Sequence, residues 1–252
     1  MVPVASLTRK GNYVFWLLLE SISIILPLYN PATGWEDIVI ERFRSLQSKL
    51  PWTNIALIIV NDGSAILDPS SVLALKRSLP EANWISYEDN RGKGYALRTG
   101  VEQAKGDILL YTDIDWPYEE SSVLEVLASC KAADAIIGIR DAEYYKFLPP
   151  TRKRISRLLR KFNSWLLRLK VDDTQAGLKA FRQKVKPAFL KTSIDRYLFD
   201  LEFIYLISSD PGIIVRSVPI RLREGITFSK MNKKILLQEL GNFMKIWFKK
   251  MW

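Results

Sequence analysis

Asp107-Ile108-Leu109-Leu110-Tyr111-Thr112-Asp113-Ile114-Asp115 is the stretch whose reading decides the fold. An apolar run bounded by polar residues reads as a buried strand, and this one ends in two carboxylates one residue apart. Alternate residues of a strand share a face, so Asp113 and Asp115 would meet at its C-terminal end. That is the edge at which open α/β sheets bind ligands. Two acids held close repel each other, and a divalent cation that takes oxygen ligands, Mg2+ or Mn2+, is the usual way to satisfy both. A strand followed by a polar turn accounts for the same residues without any chemistry.

Upstream of this stretch, residues 23–30 read as a first buried strand leading into a Pro/Asn loop, and residues 35–50 as an amphipathic helix carrying Ile38, Ile40, Phe43 and Leu46 among charges. Residues 54–60 form a second buried strand, and Asn61-Asp62-Gly63-Ser64 has the composition of a turn. Asp68-Pro69-Ser70-Ser71 is a cap with proline in the first helical turn, opening a helix to about Leu79; residues 83–87 are a short third strand. Asn90-Arg91-Gly92-Lys93-Gly94 then precedes a helix over 95–104. Glycines before a helix admit a phosphate to the backbone, with the helix N-terminus and Lys93 supplying positive potential; an ordinary strand-to-helix turn has the same composition. The spacing of a Walker A loop is absent.

Downstream, a helix near 119–131 leads to a fifth strand over 135–140, which would carry Arg140 to the same rim as Asp113 and Asp115. Apolar strands alternating with amphipathic helices predict an α/β protein, a mostly parallel sheet flanked by helices with its chemistry at the strand C-termini. Residues 199–202 read as helical, and residues 213–223 as a last strand.

The chain has 252 residues, 1 cysteine, no histidine and a net charge of +10. Its length suits one α/β domain with a substantial core. The lone Cys130 excludes an internal disulfide and fits a reducing compartment. Without histidine, Ser-His and Cys-His nucleophiles and His-ligated metal sites are excluded, leaving carboxylates, lysine, arginine, hydroxyls or metal. No secretory signal is evident, and no apolar run approaches the roughly 18 to 20 residues of a spanning helix. The apolar segment 14–19 fits an edge strand, a helical turn or an interfacial anchor.

The positive charge is local. Residues 152–170 hold 8 Lys/Arg and no acid, and residues 230–252 repeat the bias with only Glu239 against it. The first segment patterns as a basic amphipathic helix, suited to an anionic membrane, to nucleic acid or to covering a core. It offers neither clear aromatic stacking platforms nor a known docking motif of a nucleic-acid module, so no nucleic-acid partner is expected. The second segment sets Leu236, Leu240, Phe243 and Trp247 at helical spacing among lysines, the pattern of a helix lying in a membrane surface; docking on the domain or on a second subunit is its rival. The expected organisation is a domain over 1–229 followed by an amphipathic membrane-surface helix over 230–252.

Taken in order, Ile24 to Asn30, Val60-Asn61-Asp62-Gly63-Ser64, Asn90 to Gly94, Asp113/Asp115, Asp173-Thr174-Gln175-Ala176-Gly177-Leu178-Lys179, Phe199-Asp200-Leu201-Glu202 and Ser229-Lys230-Met231 resemble the motifs of the family-2 glycosyltransferases of GT-A fold. Within that family they are most similar to polyprenyl-phosphate sugar synthases of the dolichyl-phosphate glucose and mannose type. The resemblance implies an inverting hexosyltransferase that uses a nucleotide-sugar donor, a polyprenyl-phosphate acceptor and Mg2+ or Mn2+. Such an enzyme would act peripherally on the cytoplasmic face of a membrane, with an anionic membrane surface and a homo-oligomer or membrane partner subunit as further expected partners. A saccharide or protein hydroxyl acceptor is the alternative.

The same resemblance implies roles residue by residue. Pro27, Tyr29 and Asp62 would line the base and ribose, Asn30 would be a further donor-binding residue, Lys93 would lie near the donor, and Asp113 and Asp115 would hold the metal on the diphosphate. Arg140, with Arg154 or Arg157, would grip the acceptor phosphate. Gln175, Gly177 and Lys179 would form the acceptor-side loop, closed by Ser229 and Lys230. If a base is needed, Asp200 or Glu202 would serve. Asn61 and Pro31 stand where the family often carries acids, and Trp116-Pro117 supplies no further metal ligand, so sugar and nucleotide stay open. No Q-x-x-R-W motif of a processive synthase is present.

Overall fold

A computed structural model describes residues 20–140, 167, 169–171, 173–174, 176–196 and 198–225. Their strands form one seven-stranded sheet in the order β3-β2-β1-β4-β6-β5-β7. The strands are β1 Ile22–Leu28, β2 Ile55–Asp62, β3 Asn83–Tyr87, β4 Ile108–Tyr111, β5 Ala135–Arg140, β6 Lys179–Arg182 and β7 Val215–Ile220. Every pairing is parallel except those of β6, which runs antiparallel to both β4 and β5. The helices are α1 Trp35–Lys49, α2 Pro69–Ser78, α3 Lys93–Gln103, α4 Glu120–Ser129, α5 Lys186–Leu190 and α6 Phe199–Ser209.

Both faces of the sheet are covered, which is why the strands read as continuous apolar runs. In β4, Ile108 and Leu110 pack with Val39 and Phe43 of α1 and Val126 of α4. Leu109 and Tyr111 face the opposite layer, with Leu97 of α3, Phe189 of α5 and Phe203 of α6. All four β4 side chains are buried, and burial of each is worth about 1.5–3 kcal/mol. As the sequence predicts, Asp68 caps α2 by accepting from the Ser70 amide at 2.9 Å. Pro219 is tolerated in β7 because that strand is at the sheet edge.

Three local readings need correction. The strand of the opening stretch ends at Tyr111, so Asp113 and Asp115 do not share a strand face. They lie in a turn that the Trp116 amide closes onto the Asp113 carbonyl at 2.9 Å, with Trp116 at φ 45°. Asn61 and Asp62 are the last residues of β2, in register with Ser86 and Tyr87, and the turn begins at Gly63. The stretch 179–182, read only as part of a motif, forms β6. The N-terminal 1–19, the basic stretch 152–168 apart from the buried Leu167, and the C-terminal 230–252 lie outside the described residues. Among the described residues, no helix is long and apolar enough to cross a membrane.

Candidate active site

Strand order reverses at β1, with β2 on one side and β4 on the other. An open α/β sheet forms a ligand crevice where the order switches, beyond the strand C-termini. A cleft of about 360 Å³ opens there, and Pro27, Tyr29, Asp62, Lys93, Asp113 and Arg196 are among its lining residues. The first five are residues the sequence singles out, gathered from β1 and the loop after it, β2, α3 and the segment after β4. The size falls in the range of small-molecule sites.

Asp62 is buried at the end of β2. Its Oδ1 accepts from the Tyr87 hydroxyl at 2.8 Å and the Arg91 amide at 2.8 Å. Its Oδ2 accepts from Asn90 Nδ2 at 2.8 Å and the Gly92 amide at 2.9 Å. One carboxylate thus organises the whole 90–92 loop; burial and the Asp62 charge together push the Tyr87 hydroxyl far above the ordinary phenol range. Asn30, at φ 43°, joins the loop after β1 to the loop after β2, its amide donating to Ser64 Oγ at 3.0 Å and its Oδ1 accepting from the Ile66 amide at 3.0 Å.

The glycines flanking Lys93 serve packing. The amides of Gly94 and Tyr95 donate to the Asp195 carbonyl, Gly94 at 2.7 Å, so these donors at the N-terminus of α3 are engaged by the protein itself. A Cβ on Gly94 would lie 2.4 Å from the Ile194 carbonyl oxygen, and one on Gly92 2.5 Å from that of Asp195. The helix terminus expected to meet a phosphate instead carries the 194–196 loop.

Lys93 forms an ion pair with Asp113 Oδ1. Burial alone would lower its pKa, but Asp113, Asp200 and Asp115 outweigh that and raise it. Asp115 is exposed at the turn's tip, yet desolvation and the neighbouring Asp113 charge raise its carboxyl above the ordinary range. The turn is gripped from a distant part of the chain: Arg223 donates from Nε to the Trp116 carbonyl at 2.7 Å and from Nη2 to the Asp115 carbonyl at 2.8 Å. On the other side, the Gly177 amide donates to the Tyr118 hydroxyl at 2.7 Å, and a Cβ on Gly177 would stand 2.4 Å from Asp113 Oδ2. Glycine keeps that carboxylate oxygen clear.

These donors fit a divalent cation. The Lys93 ammonium already sits as a cation on one oxygen of Asp113, the second oxygen borders space left by Gly177, and Asp115 adds an exposed carboxylate. Among the described residues there is no group of three or more His, Cys, Asp or Glu for a metal. Asp113 and Asp115 are the residues that would hold such an ion, with its remaining positions left to ligand oxygens and water.

Beneath the turn is a buried polar layer. Lys179 is wholly buried, and its Nζ donates to the Ala176 carbonyl at 2.6 Å and to Asp200 Oδ1 at 2.6 Å. Tyr111 donates to the same Asp200 oxygen at 2.6 Å, and burial, reinforced by Asp200, raises the tyrosine pKa. The expectation that Lys179 faces an acceptor therefore needs correction, because its ammonium points into the core under that loop. Glu202 faces away from Asp200 and accepts from the amides of Ser193 and Ile194, each at 2.8 Å. Arg140 reaches the rim, where its Nε at 2.9 Å and Nη2 at 2.7 Å both engage the buried carboxylate of Asp173. The expected Arg154, Arg157, Gln175, Ser229 and Lys230 lie outside the described residues. Sequence reasoning missed Arg196 and Arg223: the first precedes the recognised Phe199 motif by three residues, and the second follows the last strand with no motif to mark it.

A family model described as Glycosyl transferase family 2 matches residues 23–188. The dolichyl-phosphate beta-glucosyltransferase of Drosophila melanogaster is 31% identical over 202 residues, covering 73% of this chain and 62% of that protein. The undecaprenyl-phosphate 4-deoxy-4-formamido-L-arabinose transferase of Yersinia enterocolitica is 25% identical over 174 residues, covering 68% of this chain and 52% of that protein. The chain thus spans only about half to three fifths of the length of these relatives. Glucosyl-3-phosphoglycerate synthase from Mycobacterium tuberculosis, solved in complex with Mn2+, uridine diphosphate and glucosyl-3-phosphoglycerate, superposes with a TM-score of 0.58 at 17% identity, over 94% of this chain and 81% of that one. That likeness establishes the shared GT-A fold. The matched span holds the strands, the 90–94 loop, the Asp113/Asp115 turn and the 173–179 loop that build the crevice, and the chain accordingly belongs to glycosyl transferase family 2.

Proposed function

We propose that the chain moves a hexose from a nucleotide sugar, of the UDP-glucose or GDP-mannose type, to a polyprenyl phosphate at a membrane surface, inverting the anomeric centre. The observation that carries this reading is the convergence of Pro27, Tyr29, Lys93 and Asp113 on one cleft at the sheet's switch point. The family membership and the lipid-phosphate acceptors in the names of the relatives support it. Pro27 and Tyr29 provide an apolar wall for a base, and Lys93 sets positive charge where a diphosphate would lie. A divalent cation at Asp113 and Asp115 would neutralise the leaving diphosphate.

A phosphate acceptor is already ionised at neutral pH, so it attacks the anomeric carbon without a strong protein base. Asp200 suits that economy, since its Oδ1 is occupied by Tyr111 and Lys179 inside the protein. The chain's task is then to hold two anions against their repulsion. By the family resemblance, Arg140, with Arg154 or Arg157, would serve the acceptor phosphate, and Gln175, Ser229 and Lys230 would serve the acceptor side. The test offers a short polyprenyl phosphate and the matching polyprenol with the same donor and Mn2+. Lipid-linked hexose is expected from the phosphate alone, and equal product from the alcohol would overturn the reading.

Two further outcomes follow. Arg223→Ala frees the carbonyls of Asp115 and Trp116, and charged hydrogen bonds of this kind contribute about 1.5–3 kcal/mol. Titration of activity with Mn2+ is expected to show the half-saturating concentration rising about tenfold; an unchanged curve would remove Arg223 from the site's support. The basic, tryptophan-flanked segment 230–252 anchors the chain to anionic lipid in this reading, each basic residue adding about 1 kcal/mol before screening. Flotation with anionic liposomes is expected for the full chain and lost on truncation after Ser229. Equal flotation of both would dismiss the anchor.

A further inference from the structure

Among the described residues, Lys93 and Arg196 are the two cationic side chains lining the cleft. Lys93 is engaged by Asp113. Arg196 is exposed and makes no side-chain hydrogen bond or ion pair among the described residues. It is nonetheless held in place by its backbone. The carbonyl of Asp195, one residue earlier, accepts from the Gly94 amide at 2.7 Å. The Arg196 carbonyl accepts from the Phe199 amide at 3.3 Å at the start of α6. Its Cγ lies so near Gly92 that a Cβ there, at φ +108°, would approach to 3.1 Å. Arg98 secures the same loop by donating to the Ile194 carbonyl at 2.9 Å and pairing with Asp195. The backbone is thus fixed while the guanidinium keeps its donors unused by the described residues, and a planar fork of donors suits phosphate oxygens.

We propose that Arg196 is a diphosphate-binding residue, offering its guanidinium to the phosphate oxygens of a nucleoside diphosphate in the cleft that it lines with Lys93 and Asp113. This rests on the reading that the cleft takes the nucleotide of the donor sugar, and it adds a protein cation to the diphosphate site that no sequence motif had marked. The close contacts of Gly92 and Gly94 then acquire a purpose: they seat the 194–196 loop on the start of α3 and so keep Arg196 at the cleft. Because the guanidinium is exposed, its replacement leaves the fold intact.

The experiment measures binding of UDP, GDP and the nucleosides uridine and guanosine by calorimetry, with and without Mn2+, to the full-length wild type, Arg196→Gln and Arg196→Lys. Expected is a loss of about ten- to a hundredfold in diphosphate affinity for Arg196→Gln, a smaller loss for Arg196→Lys, and unchanged nucleoside binding. The loss persists without Mn2+, which separates a direct phosphate contact from an effect on the metal. Unchanged diphosphate affinity in Arg196→Gln, or an equal loss for nucleoside and diphosphate, would overturn the assignment. Wild type that binds neither diphosphate would overturn the reading of the cleft beneath it, a result distinguishable from either.

Discussion

Asp115→Asn is expected to lower turnover by about a hundred- to a thousandfold, the effect of removing one transition-state electrostatic contact, while leaving the protein at least as stable as wild type. The two halves of this expectation have one cause. Asp115 has an exposed side chain, Arg223 holds its backbone rather than its carboxylate, and desolvation together with the charge of Asp113 raises its pKa. An acid whose pKa is higher in the folded state than in the unfolded one opposes folding once the pH exceeds its ordinary value. At neutral pH the substitution relieves that repulsion. In the proposed function the carboxylate is kept for chemistry at the expense of stability, as perturbed groups at functional sites often are. A thermal melt beside a rate measurement checks both halves, and a destabilised but active variant would contradict them.

Lys179→Met is expected to act in the opposite way, through the fold first. The ammonium is wholly buried and joins the Ala176 carbonyl to Asp200. Burial lowers its pKa, and Asp200 is the chief influence holding its proton. Removing one member of a buried ion pair leaves the other unpartnered, at a cost of about 3–5 kcal/mol. For a protein of this size that is a fall in Tm of roughly 6–20 °C. Activity should fall as well, because Ala176 precedes Gly177, whose backbone borders Asp113. The double variant Lys179→Met/Asp200→Leu is expected to recover much of the stability without the activity. Recovery of both would reduce this layer to simple packing.

The fold was legible because the sheet is buried on both faces. Continuous apolar runs marked β1, β2, β4 and β5, and the Asp68-Pro69 signal marked the start of α2. What escaped depends on partners far along the chain. β6 has only four residues, two of them charged at its ends, and Lys179 is tolerable inside the protein only because Asp200 meets it. The Asp113–Asp115 turn leaves the strand direction because Trp116 takes a left-handed conformation, its carbonyl held by Arg223 more than a hundred residues later. In the site, Pro27, Tyr29, Asp62, Lys93 and Asp113 were recognisable as motif residues and do line one cleft. Their division of labour was not recognisable. That Asp62 serves the 90–92 loop, that the glycines seat a neighbouring loop, and that Arg140 meets Asp173 all follow from hydrogen bonds between distant segments.

The most direct measurement of the central claim is the product formed when wild type and Asp115→Ala are incubated in parallel with UDP-glucose or GDP-mannose, Mn2+ and a short polyprenyl phosphate. Wild type is expected to give a lipid-linked hexose of inverted anomeric configuration, lost on chelation of the metal, and the variant essentially none. No lipid-linked sugar from wild type with any nucleotide-sugar donor, or full activity in Asp115→Ala, would contradict the account.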